Sequence, residues 1–493
     1  GRRGLEELAR ENAQAHRPSE HLSIWVWLAF VVMLVLHLVV MTYWGTQKQG
    51  FHIDEVVSFQ NSNGFYQHKL YNMPGFSDTW HDSEYFLDAL YAHDDQRFSY
   101  DTVMTNVTSD SVVHPPLFHL ALHTVMSLFP ETFSKWIGIA PNMLYFAVGQ
   151  VFLFLIAGWF LEKENKWLTL LPCLLWGFSA GAVSIVVFIR MYCMQLMWTL
   201  GTVYCHLRLT TAKKPAKWLV LSSIFAFLCF MTHYYSIIFM FFLAACYVLF
   251  RFVQHGWKAA LVYAASMLGA LGSMAVCWPV SVTGGIVGSN RGTEAISNFT
   301  GQSFKQLASN FMSFVSVINR ALFNKWGKGL CLLLALLLLA LVIKKLFHIV
   351  LEKDSETGGR TLQIDFLGRA CWRIPISSRL MVFLILLVSV AATLVVLAMI
   401  APYRDFRYIS FLLPLIVLLF FLFARWSFRH VIRHRAVFPL AIAALFACIT
   451  LFSYHDGSIL YLYSSQAGYD ALIQQDGFDT AVCVYNEKIR TGG

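Results

Sequence analysis

Two adjacent carboxylates, Asp54 and Glu55, lie a few residues after the first long apolar run of the chain. Partial desolvation at the lipid–water boundary raises the basicity of a carboxylate, which suits a general base that takes a proton from a hydroxyl. An acidic pair in a loop is more often plain solvated charge. The position of this pair beside the membrane favours chemistry, so we predict that Asp54 and Glu55 are catalytic.

The same outer segment contains the motif His114-Pro115-Pro116-Leu117. Proline is tolerated in the first turn of a helix, so the two prolines are explained by a helix that starts here. They do not explain His114, which such a rigid turn would hold at a fixed point above the membrane. We predict that His114 lies next to the substrate.

Arginines near the ends of apolar runs form a third group of candidates, in Arg190-Met191-Tyr192 and in Pro402-Tyr403-Arg404-Asp405-Phe406-Arg407-Tyr408. An arginine at such a place can simply extend to the interface, and Asp405 can neutralise one of them. Guanidinium groups that converge there would instead form a fork for a lipid phosphate. We predict phosphate binding by Arg190, Arg404, Arg407 and Tyr408.

A polar and aromatic cluster, His233-Tyr234-Tyr235, lies in a short turn between two apolar runs. Interfacial tyrosines are common in membrane proteins, so this cluster is weak support by itself. Together with Tyr192, we predict that His233 and Tyr234 lie beside the substrate.

The composition indicates what kind of secondary structure must position these side chains. The chain has 493 residues, of which 57% are hydrophobic and 13% charged, and its mean hydropathy is +0.57. This balance excludes a soluble domain and predicts an all-α polytopic membrane protein. The net charge of +9 is dispersed over short loops, so it does not indicate nucleic-acid binding. Apolar runs predict about 11 transmembrane helices, near 23–44, 137–160, 167–188, 191–207, 218–235, 236–250, 259–280, 328–343, 380–401, 408–424 and 436–453.

Basic residues fall in every second loop, which predicts a cytoplasmic N-terminal tail (1–22) and a transmembrane domain over 23–453. The first extracytoplasmic loop, 45–136, is long and acidic, and its apolar stretch 117–129 predicts an interfacial helix. A second outer loop, 281–327, is rich in glycine and suits a lid. The C-terminal segment, 454–493, is predicted to be extracytoplasmic, with one strand at Thr480–Tyr485.

The order of these motifs resembles the GT-C glycosyltransferases, most closely the protein O-mannosyltransferase-like group and the bacterial transferases of aminoarabinose to lipid A. The resemblance covers about residues 23–425, and each motif is short. It implies a GT-C fold with interfacial helices in the first outer loop. It also implies that Asp54 is the catalytic base and that Glu55 and His114 assist the acceptor or a metal. One departure is Val187-Phe188-Ile189, where bacterial relatives often carry Gln-Glu before the Arg-Met-Tyr motif.

The resulting hypothesis is an inverting transfer of a monosaccharide from a polyprenyl-phosphate donor to an extracytoplasmic hydroxyl, on a protein, a wall polymer or a lipid-linked glycan. No cofactor is required, although Asp54, Glu55 and His114 are possible ligands of a divalent metal. The partners are the donor, the acceptor and membrane lipids, with no nucleic acid. The expected membrane is the plasma membrane in a bacterium and the endoplasmic reticulum in a eukaryote.

Two other functions remain open at this point. A polysaccharide polymerase or ligase with a polyprenyl-pyrophosphate donor would share the arginines, but it would not need an Asp-Glu pair after the first span. A lipid flippase or transporter would carry ionisable groups near the membrane midplane. Apart from His37, the predicted spans hold almost none.

Overall fold

The computed structural model describes residues 23–66, 83–110, 114–161, 165–286, 290–330, 335, 339, 347–353, 360–366, 377–429 and 437–463. This part of the chain is mostly helical. Its first six helices are α1 (Ile24–Thr46), α2 (Ile53–Ser62), α3 (Ser83–Asp88), α4 (Tyr100–Thr108), α5 (Leu117–Leu128) and α6 (Trp136–Leu161). Six more follow, α7 (Leu170–Gly177), α8 (Ala180–Val187), α9 (Tyr192–Thr211), α10 (Ala216–Phe230), α11 (Tyr235–His255) and α12 (Trp257–Cys277). The last five are α13 (Asn290–Gly301), α14 (Phe304–Phe323), α15 (Ser378–Ile400), α16 (Leu413–Arg429) and α17 (Val437–His455).

Six helical segments of the described chain are long and apolar enough to cross a membrane, which is consistent with an integral membrane protein. They are Ile24–Thr46, Trp136–Phe160, Tyr235–His255, Trp257–Cys277, Ser378–Ile400 and Ser410–Ser427. A bent pair, Lys166–Gly177 with Ala180–Val187, brings the number to seven if it forms one span. Each predicted span except 328–343 coincides with a helix or with this pair, and most of 328–343 lies outside the described residues. The total of eleven spans stays a prediction.

The bent pair turns by 59° between α7 and α8. Ser179 starts α8 as a fresh helix, because its hydroxyl oxygen accepts a hydrogen bond from the Ala182 backbone N–H at 3.1 Å. Beyond the end of α8, the Asn142 side chain of α6 donates to the Phe188 carbonyl at 2.8 Å. The segment 188–190 is therefore held in a fixed non-helical course that leads into α9.

The centre of the helical assembly is α9, which is almost entirely buried and packs against α6 and α10. Neighbouring pairs include α11 with α12 and α11 with α15. One large apolar core extends through these helices, from Phe30 in α1 to Phe446 in α17. Because the helices pack into one continuous core, they fix the positions of the loops that connect them.

The predicted interfacial segment of the first loop is helix α5, and its polar residues face the protein. His119 and His123 are buried, and both contact Ser62 at the end of α2, at 3.1 Å and 2.8 Å. Helix α5 therefore braces the helix that carries Asp54. Its orientation relative to a lipid surface stays a prediction.

The second predicted outer loop contains a π-helical turn (Ser281–Ile286) and the helices α13 and α14, although its glycine content predicts a lid. Helix α14 exposes large apolar side chains, among them Phe304, which is 85% exposed. Farther along, β1 (Phe347–Lys353) and β2 (Arg360–Phe366) form an antiparallel hairpin in which Phe347 is opposite Phe366. The predicted strand at 480–485 lies outside the described residues.

Candidate functional site

Asp54 is the second residue of α2, at the end of that helix nearest α1. The ring of His52 starts the helix, because its Nδ1 accepts a hydrogen bond from the Asp54 backbone N–H at 3.0 Å. Burial lowers the pKa of His52, against the influence of the nearby Asp54 carboxylate. The Asp54 side chain is 29% exposed and forms an ion pair with Arg407. Its carboxylate is thus held in place yet still open on one side.

Arg407 belongs to a single 3-10 turn, Phe406–Tyr408, which precedes α16. The Asp405 carboxylate starts this turn by accepting from the Arg407 backbone N–H at 3.2 Å, and it lies 3.6 Å from Arg407 Nε. The Arg407 guanidinium also lies 5.1 Å from the centroid of the Tyr408 ring. The turn therefore directs Arg407 at Asp54, with Tyr408 beside it.

Arg190 contacts Asp54 from a different segment of the chain, the one between α8 and α9. Its Nη1 donates to the Asp54 carbonyl at 3.1 Å and to Ser58 Oγ at 2.8 Å. Its Nη2 lies 3.3 Å from His114 Nε2. A guanidinium can only donate, so His114 Nε2 is the acceptor and its ring is neutral in this contact. Arg190 therefore connects three predicted site segments, those of Asp54, of His114 and of its own Arg-Met-Tyr motif.

Aromatic rings form the next layer around Arg190. The His233 ring lies 6.0 Å from the His114 ring and 5.3 Å from that of Tyr192, between ring centroids. Burial lowers the pKa of His233 to about 3, and the positive charges of Arg190 and Arg407 act in the same direction. Burial and Arg190 likewise hold the pKa of His114 well below its usual value. The structure thus brings both predicted histidines to the arginines in neutral form.

Glu55 faces the other way from Asp54 and is fully buried. Its Oε2 accepts from Lys48 Nζ at 3.0 Å and from the His52 backbone N–H at 2.7 Å, while its Oε1 accepts from the Ile189 N–H at 2.8 Å. Burial raises the pKa of Glu55, and these donors act against that rise. With three donors and no exposed surface, Glu55 is placed to join α2 to the segment before Arg190. This geometry favours a positioning role over the predicted catalytic one.

The predicted metal ligands are not gathered around one point. The carboxylate of Glu55 is directed at Lys48 and Ile189, whereas His114 Nε2 is directed at Arg190. Within the described ranges, no group of three or more His, Cys, Asp or Glu side chains is arranged to hold a metal ion. Asp54, Glu55 and His114 therefore do not form a ligand set in this conformation.

Asp54, Arg190, Arg407, His114 and His233 form one group, the Asp54 cluster. Two further predicted residues lie apart from it. Arg404 lines a separate cleft with Arg320, and its Nη1 donates to the carbonyl of Pro402 at 3.3 Å. The Tyr234 hydroxyl accepts from the indole N–H of Trp278 at 3.3 Å, at the end of α12. The cluster thus contains Arg190 and Arg407 of the three predicted arginines.

Three residues of the site were not predicted from the sequence: Lys48, Ser58 and Tyr461. The Tyr461 ring stacks on Phe188 at 3.9 Å, and its hydroxyl donates to Asp405 at 3.2 Å. Its backbone carbonyl accepts from Lys48 Nζ at 2.7 Å. Tyr461 has a φ of +65°, a conformation that is costly for a bulky side chain and that is common at functional sites. Only its position after the last apolar run pointed to this face.

Comparison with protein-family models, with curated proteins and with solved structures finds no match to this chain. Its chemistry is therefore inferred from the side chains that the fold brings together.

Proposed function

We propose that the chain is a membrane glycosyltransferase of the GT-C type, which transfers a monosaccharide from a polyprenyl-phosphate carrier to a hydroxyl on the extracytoplasmic side. One observation carries the proposal. The partly accessible Asp54 carboxylate pairs with Arg407, and the Asp54 backbone carbonyl accepts from Arg190, although these arginines lie 353 and 136 residues away along the chain. A general base and a phosphate-binding pair are the two groups that this transfer requires.

The transfer step assigns one task to each group. The acceptor oxygen attacks the anomeric carbon from the face opposite the phosphate, so the configuration inverts. The acceptor proton passes to the Asp54 carboxylate, and the bond from carbon to phosphate oxygen breaks with its electron pair on the phosphate. Arg190 and Arg407 stabilise the phosphate that leaves. Asp54 then returns the proton to water.

The ion pair between Asp54 and Arg407 implies an order of binding. Asp54 Oδ2 is occupied by the Arg407 guanidinium, so this oxygen is not open to an acceptor hydroxyl while the pair persists. A donor phosphate would compete for Arg407 and release Asp54 from this pair. We therefore propose that the donor binds first and that its phosphate activates the base.

Lipid analysis of the purified protein tests the proposal whichever sugar the carrier holds. Mass spectrometry of wild-type protein is expected to detect a co-purified polyprenyl phosphate that carries one monosaccharide. Arg407→Gln is expected to lose most of it, because the phosphate loses a charged partner. Arg97→Gln is the matched control, since Arg97 is an arginine of the first loop that contacts Asp94 and Ser127 instead.

A pyrophosphate-linked species in the wild type would contradict the monophosphate donor and favour a polymerase or ligase. Equal amounts of lipid in wild type and Arg407→Gln would contradict the role of the arginine.

A further inference from the structure

A second cationic cleft lies next to the Asp54 cluster but does not include it. The cleft has a volume of about 320 Å³ and lies between α14, the segment before α16 and the segment after α17. Arg320 and Arg404 provide its positive charges. Neither Asp54 nor Arg190 nor Arg407 belongs to its lining.

The two arginines of this cleft have few acceptors. Arg404 Nη1 donates to Pro402 at 3.3 Å, and Arg404 Nε is buried with no hydrogen-bond partner among the described residues. Within the described ranges, Arg320 Nη2 reaches only the Gly457 carbonyl, at 3.5 Å. A guanidinium carries five N–H donors; Arg320 is exposed and Arg404 is half-buried, so both present donors to a group that enters the cleft. An anion in the cleft would satisfy them.

The acidic residues nearby are already engaged. Asp405 lines the cleft, but its carboxylate contacts Arg407 and accepts from Tyr461. The Asp456 carboxylate accepts from the backbone N–H and the hydroxyl of Ser458, at 3.1 Å and 2.5 Å. Within the described part of the chain, neither Arg320 nor Arg404 forms an ion pair with a carboxylate.

The rest of the lining is mainly apolar, from Val317, Ala321, Phe406 and Leu460. Helix α14, which forms one wall, exposes Phe304 and Met312 on its surface, as an amphipathic helix at a lipid interface does. A group that enters the cleft therefore meets apolar side chains as well as two guanidinium groups. This combination suits the phosphate of an amphiphile better than that of a fully hydrated metabolite.

We propose that this cleft is a second anion site, which binds a phosphate monoester group distinct from the donor phosphate at Arg190 and Arg407. The ligand chemistry is shared by a lipid phosphate and by free phosphate. If the cleft serves the proposed transfer, the acceptor or a bound lipid is itself phosphorylated; that consequence rests on the proposed function, whereas the anion site does not.

Photochemical labelling of the full chain tests the site. The protein is placed in phosphatidylcholine nanodiscs that contain a diazirine-bearing phosphatidic acid, and labelled peptides are mapped by mass spectrometry. Labels are expected on α14 around Val317 and Ala321. Arg320→Gln/Arg404→Gln is expected to reduce this labelling at least tenfold. Arg97→Gln is expected to keep it, because neither Arg97 nor its partners Asp94 and Ser127 line the cleft.

Further arms separate charge from folding and identify the source of the phosphate. Arg320→Lys/Arg404→Lys keeps both charges and is expected to keep most of the labelling. Suppression by inorganic phosphate would show that free phosphate suffices, and labelling without suppression would show that the lipid is needed; either result supports the site.

Three results would overturn the proposal. They are equal labelling by a neutral diacylglycerol analogue, unchanged labelling in the glutamine double variant, and loss of labelling in the lysine variant. The readout is binding, so a failure of the glycosyltransferase proposal would leave it unaffected.

Discussion

At the scale of single residues, the two adjacent carboxylates have opposite surroundings. The Asp54 carboxylate is partly exposed and pairs with Arg407, whereas Glu55 is buried and both of its carboxylate oxygens accept from donors within the fold. The sequence shows two adjacent carboxylates here, but it does not show which of them is buried. Their difference arises because adjacent positions of a helix face different directions, and the direction of the core depends on α1 and on the segment around Ile189.

Glu55→Gln tests the positioning role of Glu55. The change leaves Lys48 charged and buried without a carboxylate, and breaking such a pair costs roughly 3–5 kcal/mol. We expect a clearly lower apparent melting temperature. Lys48→Met/Glu55→Gln, which removes both charges, is expected to recover part of the loss. A Glu55→Gln protein that is as stable as wild type yet inactive would instead support the predicted catalytic role.

His233 gives the site a defined dependence on pH. Its pKa is about 3 in the folded protein, below the ordinary value of 6.5, and its Nδ1 accepts from the Tyr235 backbone N–H at 3.1 Å. Between these two values the unfolded chain binds a proton that the folded chain does not. Stability is therefore lost progressively as the pH falls below 6.5, and the loss continues until the pH approaches about 3.

Apparent melting temperatures measured from about pH 7 to about pH 5 check this sign. His233→Gln is expected to decline less steeply with falling pH than wild type. His455→Gln, at an exposed position, controls for the substitution itself. A steeper decline in His233→Gln than in wild type would contradict the assignment.

At the scale of elements, the apolar runs predict where most of the long helices lie. A segment that crosses a membrane needs a long run of apolar side chains, and it must form its backbone hydrogen bonds within its own helix. They do not predict the bend between α7 and α8 or the helices α13 and α14. The bend depends on the cap at Ser179, inside an apolar run, and α13 is too polar to be found by hydropathy. Arg404 and Arg407 are separated because Arg407 lies within the 3-10 turn Phe406–Tyr408, whereas Arg404 lies before the residue that caps this turn.

The close approach of α6 to the segment before Arg190 leads to a prediction at this scale. A Cβ added to Gly138 would clash with Ile189 Cγ2 and lie 2.8 Å from its Cγ1. Gly138→Ala is therefore expected to displace the segment that holds Arg190, and to lower both stability and donor-lipid content. Gly269→Ala, a helical glycine of α12 with no atom within 4 Å of the added Cβ, is expected to be neutral or mildly stabilising.

A second-site change identifies the cause of that loss. Gly138→Ala/Ile189→Ala removes the Ile189 branch atoms and is expected to recover part of the donor-lipid content that Gly138→Ala loses. Equal lipid content in Gly138→Ala and wild type would contradict the proposed role of this contact.

At the scale of the whole molecule, the charge pattern predicts the side of the membrane on which the site lies. The first loop contains Asp95, and the turn between α9 and α10 contains Lys214. In a background in which all ten native cysteines are replaced by serine, Asp95→Cys is expected to react with an impermeant maleimide in intact cells. Lys214→Cys is expected to react only after permeabilisation. Reaction of both variants in intact cells would contradict the orientation.

The most direct test of the proposed function is the transfer reaction of Asp54→Asn. The substitution keeps the size of the side chain but removes the group that accepts the acceptor proton, and a general base contributes roughly 10²–10⁴-fold to a rate. With the donor lipid found in the wild type, we measure release of polyprenyl phosphate by reconstituted protein of matched melting temperature. Asp95→Asn, an exposed carboxylate of the same loop, is the control. We predict a loss of at least a hundredfold in Asp54→Asn alone, and full activity in that variant would contradict the role of Asp54 as the base.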